Sequence, residues 1–273
     1  MMLSFENVAK SYGPIRALDS LSFAVGRGEI VAMLGPNGAG KTTALEIALG
    51  LRDADAGSAR LFGASPRNVA RRRLLGVTPQ ASGFPDMLSV REILSFVAQH
   101  YARPARLDET LERFGLSDLA ARRAGTLSIG QSRRLALALA FVGNPELAVL
   151  DEPTVGLDVE SRQRLRQVVR DLSGGRSVLF TTHDLEEAQA IATRVLVIDR
   201  GKLLFDGDAE ALRSRVGGRR LRYRGEDGPV SVTTGDSDAY VRAMVAGGVA
   251  FENLEITRPS LEEAFLSLTG GQK

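Results

Sequence analysis

The chain contains no cysteine and no tryptophan, and only two histidines among its 273 residues. Without thiols it can form no disulfide, carry no thiolate nucleophile and offer no Cys-ligated metal site, which fits a reducing compartment. Two imidazoles are too few for a His-rich metal centre. An excess of one charge is also missing: 35 basic residues face 33 acidic ones, for a net charge of +2. That bias is too weak to argue for a nucleic-acid partner, and none is expected. The clusters Arg71–Arg73 and Arg219–Arg224 read as solvated faces. No apolar run approaches the ~20 residues that span a bilayer. The longest, such as Leu135–Val142, stop well short, so the chain is not expected to cross a membrane. Met1–Lys10 carries Glu6 before any apolar block and does not read as a signal peptide.

What is present is a change of hydrophobic period along the chain. Leu3–Val8, the alternating Leu21, Phe23 and Val25, and Ala59–Phe62 predict half-buried strands of an antiparallel sheet. From Ser89 the spacing becomes helical, with Val90, Ile93, Leu94 and Val97, then Leu107, Leu111 and Phe114. A helical subdomain is expected at about 89–140, its first part running to Leu127 and its last helix through Val142. The strands Leu147–Leu150, Val178–Thr181 and Val195–Ile198 then alternate with a helix near Val159–Leu172. This pattern predicts an α/β fold with a largely parallel sheet covered on both faces. "DRGK", Asp199–Lys202, reads as a turn between paired strands. The glycines of "VGGRR" place a boundary after Val216, giving domains 1–216 and 217–273. The second is a small α+β unit with helices at Asp238–Ala246 and Leu261–Leu268.

The chemistry begins at "GPNGAGKTT", comprising Gly35, Pro36, Asn37, Gly38, Ala39, Gly40, Lys41, Thr42 and Thr43. It follows the apolar run Ile30–Leu34 and opens a helix. Its glycines let successive N–H groups turn inward, and the helix adds its positive end, which together make a phosphate site. Lys41 is placed to reach the β- and γ-phosphates, Thr42 to put a hydroxyl on Mg²⁺, and Thr43 to add a phosphate contact. "LAVLDEP" supplies the carboxylates at a buried strand end. Asp151 faces the metal, and Glu152 is set to orient and deprotonate a water in line with the γ-phosphate. Between them "LSIGQ" opens a helix at Ser128, a second surface able to meet phosphate.

Taken in order, the phosphate loop, "LSIGQ", "LAVLDEP", "VGLD" and "TTHD" resemble ABC-type ATPases, over Leu3 to about Arg215. The resemblance implies a P-loop fold of ABC type, with an antiparallel β-subdomain and a helical subdomain. It implies that Tyr12 stacks on adenine, and that Gln80 contacts Mg²⁺ and the attacking water. It further implies that Asp158 communicates across a dimer, and that His183 touches the γ-phosphate and steadies Glu152. ATP and Mg²⁺ are then the cofactors. Two copies would meet head to tail, ATP on one phosphate loop being covered by Ser128, Gly130 and Gln131 of the other, and the pair would drive separate membrane permease subunits from the cytoplasmic face. The permease contact is expected near Ser82–Val90. "RPSLEEAFLSLTG", Arg258–Gly270, resembles the tail of ATPases serving exporters of the ABC-2 class. A soluble ABC-type ATPase uncoupled from transport is the alternative. One departure stands out: Ile129 occupies a position where the family has glycine. A branched residue is poorly suited to positive φ, so the loop keeps its shape only if Ile129 adopts ordinary backbone angles.

Overall fold

The computed structural model describes residues 1–78, 83–172, 175–215, 217–258 and 260–270. Two compact units divide between Asp206 and Gly207. That division falls ten residues before the expected boundary. The reason is local: helix Ala209–Ser214 lies beside the terminal helix Leu261–Leu268, so it belongs with the second unit despite the glycines that follow it.

In the first unit, β1 (Leu3–Tyr12) pairs antiparallel with β2 (Ile15–Val25), and β3 (Ile30–Leu34) leads through the phosphate loop into α1 (Lys41–Ala48). β4 (Ala56–Leu61) returns to pair with β1, giving the three-stranded order β2-β1-β4. Phe5 and Phe23 sit opposite each other in this sheet with ring centroids 4.7 Å apart, a cross-strand aromatic pair that fixes register. Both β1 and β2 run longer than their apolar alternation predicts, because Gly13, in the left-handed region, turns the chain tightly between them.

After α2 (Val69–Arg72) and β5 (Leu75–Val77) come α3 (Val90–Ala98) and α4 (Leu107–Arg113), then α5 (Ile129–Val142). α3 starts in a capping box, Ser89 and Glu92 satisfying each other's backbone N–H groups. β6 (Leu147–Asp151), α6 (Val159–Leu172), β7 (Ser177–Thr182), α7 (Leu185–Ile191), β8 (Arg194–Asp199) and β9 (Lys202–Gly207) complete the unit. The main sheet has the order β5-β6-β7-β3-β8-β9. Its strands from β5 to β8 are parallel. β3 and β7 are buried along their whole length, as strands covered on both faces must be. β8 and β9 are joined through Arg200 and Gly201, both at positive φ, the hairpin expected at "DRGK".

The second unit holds α8 (Ala209–Ser214), β10 (Arg219–Gly225), β11 (Gly228–Thr234), α9 (Ser237–Ala246), β12 (Glu252–Thr257) and α10 (Leu261–Leu268). Its antiparallel sheet has the order β11-β10-β12. α10 begins with a Ser260–Glu263 capping box and buries Leu261 and Ala264. Ion pairs of Arg258 with Glu210 and of Arg220 with Glu263 surround that helix start.

Candidate functional site

Parallel strands deliver their C-terminal ends to one edge of the main sheet, and the chemistry collects there. β3 ends in the phosphate loop. Gly40 sits at φ 103° as the N-cap of α1, a backbone angle that excludes other residues without strain. A Cβ there would stand 2.4 Å from the Ala17 carbonyl oxygen, so the loop is glycine for space as well as for angle. Lys41 is only 7% exposed. Its Nζ donates to the carbonyl oxygens of Gly35 at 2.6 Å and Pro36 at 3.1 Å. Burial lowers its pKa, while the nearby charges of Glu152 and Asp151 pull the other way.

β6 ends in Asp151, Glu152 follows it, and hydroxyls from just beyond β5 and from within β7 hold that end. The Asp151 N–H donates to Thr78 Oγ1 at 3.0 Å, beyond β5, and the Glu152 N–H donates to Thr181 Oγ1 at 3.0 Å, in β7. Thr181 Oγ1 in turn donates to Asp151 Oδ1 at 2.5 Å. Glu152 has φ 43°, a left-handed conformation that is uncommon for a residue of this kind. Its carbonyl accepts from Arg133 Nη2, which also donates to the Asp151 carbonyl at 2.7 Å. Its carboxylate Oε1 lies 3.3 Å from His183 Nδ1.

Behind the strand end lies Glu187, 1% exposed, whose Oε2 accepts from Thr154 Oγ1 at 2.9 Å and Thr182 Oγ1 at 2.6 Å. Desolvation raises its pKa, outweighing those two hydroxyls. One buried carboxylate thus joins the turn after Glu152 to the strand end before His183.

A cleft of about 610 Å³ opens over these groups, lined by Tyr12, Asn37, Gly38, Ala39, Gly40, Lys41, Thr42, Thr43, Asp151 and Glu152 from the predicted set. Ile15, Arg16, Ala17, Arg133 and Val155 complete its wall. Tyr12 is half-exposed, with Lys10 Nζ 5.9 Å and Arg52 Cζ 5.1 Å from its ring centre. The oxygen donors near Lys41 suit a hard divalent cation. Thr42 is exposed at the start of α1, Asp151 lines the same cleft, and among the described residues no group of three acidic or imidazole side chains is arranged to hold a metal ion by itself. A Mg²⁺ ion completed by phosphate and water oxygens fits such a sparse protein donor set.

Not every predicted residue is brought to this cleft. Gln80 lies outside the described residues. Ser128 caps α5, accepting from the Gln131 N–H at 3.2 Å while Gln131 Oε1 accepts from the Ser128 N–H at 3.0 Å. Ser128, Gly130 and Gln131 do not line the cleft around Lys41. Ile129 is the first residue of α5, absent from the positive-φ residues and 82% exposed, so it adopts the ordinary backbone that its side chain requires. Asp158 is exposed and caps the start of α6, its Oδ1 accepting from the Ser161 N–H at 2.7 Å. That backbone hydrogen bond holds its carboxyl below the usual range. Sequence reasoning missed Arg133, Thr78, Thr181 and Glu187. Their only signal is adjacency to the motifs, since each acts on a segment distant in the chain.

A phosphate loop on one strand end and an acidic pair on another, around a nucleotide-sized cleft, define a P-loop ATPase. The family model for ABC transporters matches residues 18–155. The chain is 36% identical over 308 residues to Daunorubicin resistance ATP-binding protein DrrA3 of Streptomyces coeruleorubidus, covering 99% of this chain and 96% of that protein. It is also 36% identical over 295 residues to Nod factor export ATP-binding protein I of Burkholderia thailandensis, covering 98% and 97%. Among solved structures, an ATP binding subunit of an ABC transporter superposes with a TM-score of 0.74 at 25% identity, over 79% of this chain and 93% of that one. A dimeric ATP-binding cassette in a post-hydrolysis state, bound to ADP and Pi, superposes with a TM-score of 0.69 at 25% identity, over 76% and 98%. The chain belongs to the ABC transporter family, as one of its ATP-binding, ATP-hydrolysing subunits.

Proposed function

We propose that this subunit dimerises head to tail on ATP and powers export through separate membrane permease subunits. The observation that carries the reading is the division of the site. The cleft around Lys41 holds the nucleotide-binding and acidic residues, while the Ser128 helix start, a ready phosphate surface, lies outside it. A second copy turned head to tail would bring the two halves together. Ile129, Val155 and Val159 are 82%, 49% and 72% exposed, an apolar group suited to burial between copies. Ile129 and the Gly156 turn are close neighbours: a Cβ built on Gly156 would lie 3.5 Å from Ile129 Cγ2.

In this reading Lys41 leaves its loop carbonyls for the β- and γ-phosphates, and the loop N–H groups and Thr43 cradle them. Tyr12, on the cleft wall, offers its ring to adenine. Mg²⁺, held by Thr42, Asp151 and Gln80, would neutralise the phosphate charge. Glu152 takes the proton of the attacking water, and His183 keeps the Glu152 carboxylate aimed. Asp158 and its turn meet the partner. Loss of the γ-phosphate removes the shared contact, and the dimer opens.

Support for export comes from near full-length likeness to proteins named for drug resistance and Nod factor export. No helix among the described residues is long and apolar enough to cross a membrane, so a permease would hold the subunit at the cytoplasmic face. Met87 and Leu88, exposed just before α3, lie in the segment proposed to dock it. The test uses Glu152→Gln in the full chain. ATP should then hold a stable dimer by size-exclusion chromatography, with phosphate release lost; hydrolysis at the parent rate would remove Glu152 as base. Affinity purification of the parent from native membranes should also recover a polytopic membrane protein. A subunit found only in the soluble fraction would favour the ATPase uncoupled from transport.

A further inference from the structure

The guanidinium of Arg133 sits where nothing in the motif logic asks for one. It projects from α5 into the wall of the nucleotide cleft, and its Nη2 reaches across to the carbonyls of both Asp151 and Glu152. This orientation has a cost, since among the described residues Nε of the same group is buried without a hydrogen-bond partner, as are Nε of Arg134 and of Arg166. A buried donor left without a partner costs free energy, which the other hydrogen bonds of the same guanidinium must offset. Those bonds are made to the β6 end. Glu152 holds a left-handed backbone at φ 43°, its N–H is fixed by Thr181 and its carbonyl by Arg133. Without the second hold, the backbone is free to relax toward ordinary angles and swing the carboxylate away from its water.

α5 is also the helix that Ser128 caps. Arg133 lies five residues further on, about 7.5 Å along the axis at ~1.5 Å per residue. From Leu135 onward the helix is buried and packs against β5 and β6, so Ser128 and Arg133 are carried on one continuous element. We propose that Arg133 is a positioning residue for hydrolysis, setting the backbone of Glu152 from the same helix that offers Ser128 to the partner's nucleotide. Closure over one ATP and placement of the base at the other are then displacements of a single continuous element. The inference rests on Glu152 being the base and on the head-to-tail pairing.

The test measures phosphate release and nucleotide affinity of the full chain with Mg²⁺ and ATP, for Arg133→Ala, Arg133→Met and Arg133→Lys. An ångström of misplacement at a reacting group costs on the order of 100-fold. Arg133→Ala and Arg133→Met are expected to lower kcat about 10- to 100-fold with KM for ATP within about threefold of the parent. ATP-dependent dimerisation, read in the Glu152→Gln background, should be unchanged. Arg133→Lys, which keeps the charge but ends sooner and lacks the fork, should fall between. A kcat within twofold for the alanine and methionine variants overturns the proposal. So does a raised KM at unchanged kcat, which would make Arg133 a nucleotide contact. If both variants melt far below the parent, Arg133→Lys decides: a parent-like rate overturns the proposal, and a lowered kcat with unchanged melting sustains it. Glu152→Gln alone tests the base. A fast Glu152→Gln fails that assignment, whereas a dead Glu152→Gln beside a fast Arg133→Ala fails only this inference.

Discussion

Thr181 is the hinge pin of the acidic strand end, and replacing it by valine isolates one hydroxyl. The side chain is 0% exposed, so water cannot replace what is lost. Two bonds disappear: the one accepted from the Glu152 N–H and the one donated to Asp151 Oδ1. A buried N–H without a partner costs about 1–3 kcal/mol, and a bond to a charged group contributes about 1.5–3 kcal/mol. Asp151 is only half-buried and can turn part of its charge to water, which trims the total to about 2.5–4 kcal/mol. For a unit of this size that is a fall in melting temperature of roughly 5–15 °C. Thr181→Ser is the control, since it keeps the hydroxyl and deletes a methyl group for about 0.5–1.5 kcal/mol. The expected order of melting temperature by calorimetry is parent, serine, valine, and phosphate release at saturating ATP should fall in the same order. A valine variant that melts above the serine variant would refute the reasoning, because methyl packing and not the hydroxyl would then hold the strand end.

Two further outcomes follow from other positions. Gly40→Ala should weaken ATP binding more than Gly38→Ala by isothermal titration. Both have positive φ, but only at Gly40 would the new Cβ strike the Ala17 carbonyl oxygen and Leu18 Cδ2, while at Gly38 no atom of the described residues lies within 4 Å of it. Glu187 should make stability depend on pH. Its carboxyl is raised in the folded chain, so the folded state holds the proton longer, and stability falls as pH rises from the ordinary carboxylate range through that raised value. Glu187→Gln cannot ionise and should lack this slope in urea titrations; parallel profiles for parent and variant from about pH 4 to about pH 8 would exclude the effect.

The strand and helix succession was legible because period carries it. β3 is an unbroken apolar run, β6 and β7 each carry one of three or four residues before their polar ends, and the starts of α3 and α5 are written as Ser and Glu or Gln three residues apart. The phosphate loop and the acidic pair were legible for the same reason, as short local strings. Arg133, Thr78 and Thr181 were not, since their hydrogen bonds to the β6 end span 18, 73 and 29 residues of chain. A lone threonine or arginine carries no mark of such a contact. The left-handed angle of Glu152 was hidden too, because nothing local to a glutamate demands it and only the surrounding bonds impose it. Glycines at 217 and 218 suggested a boundary after Val216, whereas the compact units divide ten residues earlier because α8 packs beside α10, a contact no local string announces.

The folded-back position of Lys41 reaches beyond the geometry of one side chain. Its ammonium donates to two carbonyl oxygens of its own loop, tying the start of α1 back to the end of β3 from within the chain. Lys41 is therefore a clasp of the loop as well as its cation, and a substitution there removes both at once. Nucleotide affinity lost in a Lys41 variant thus reports the curvature of the loop together with its charge.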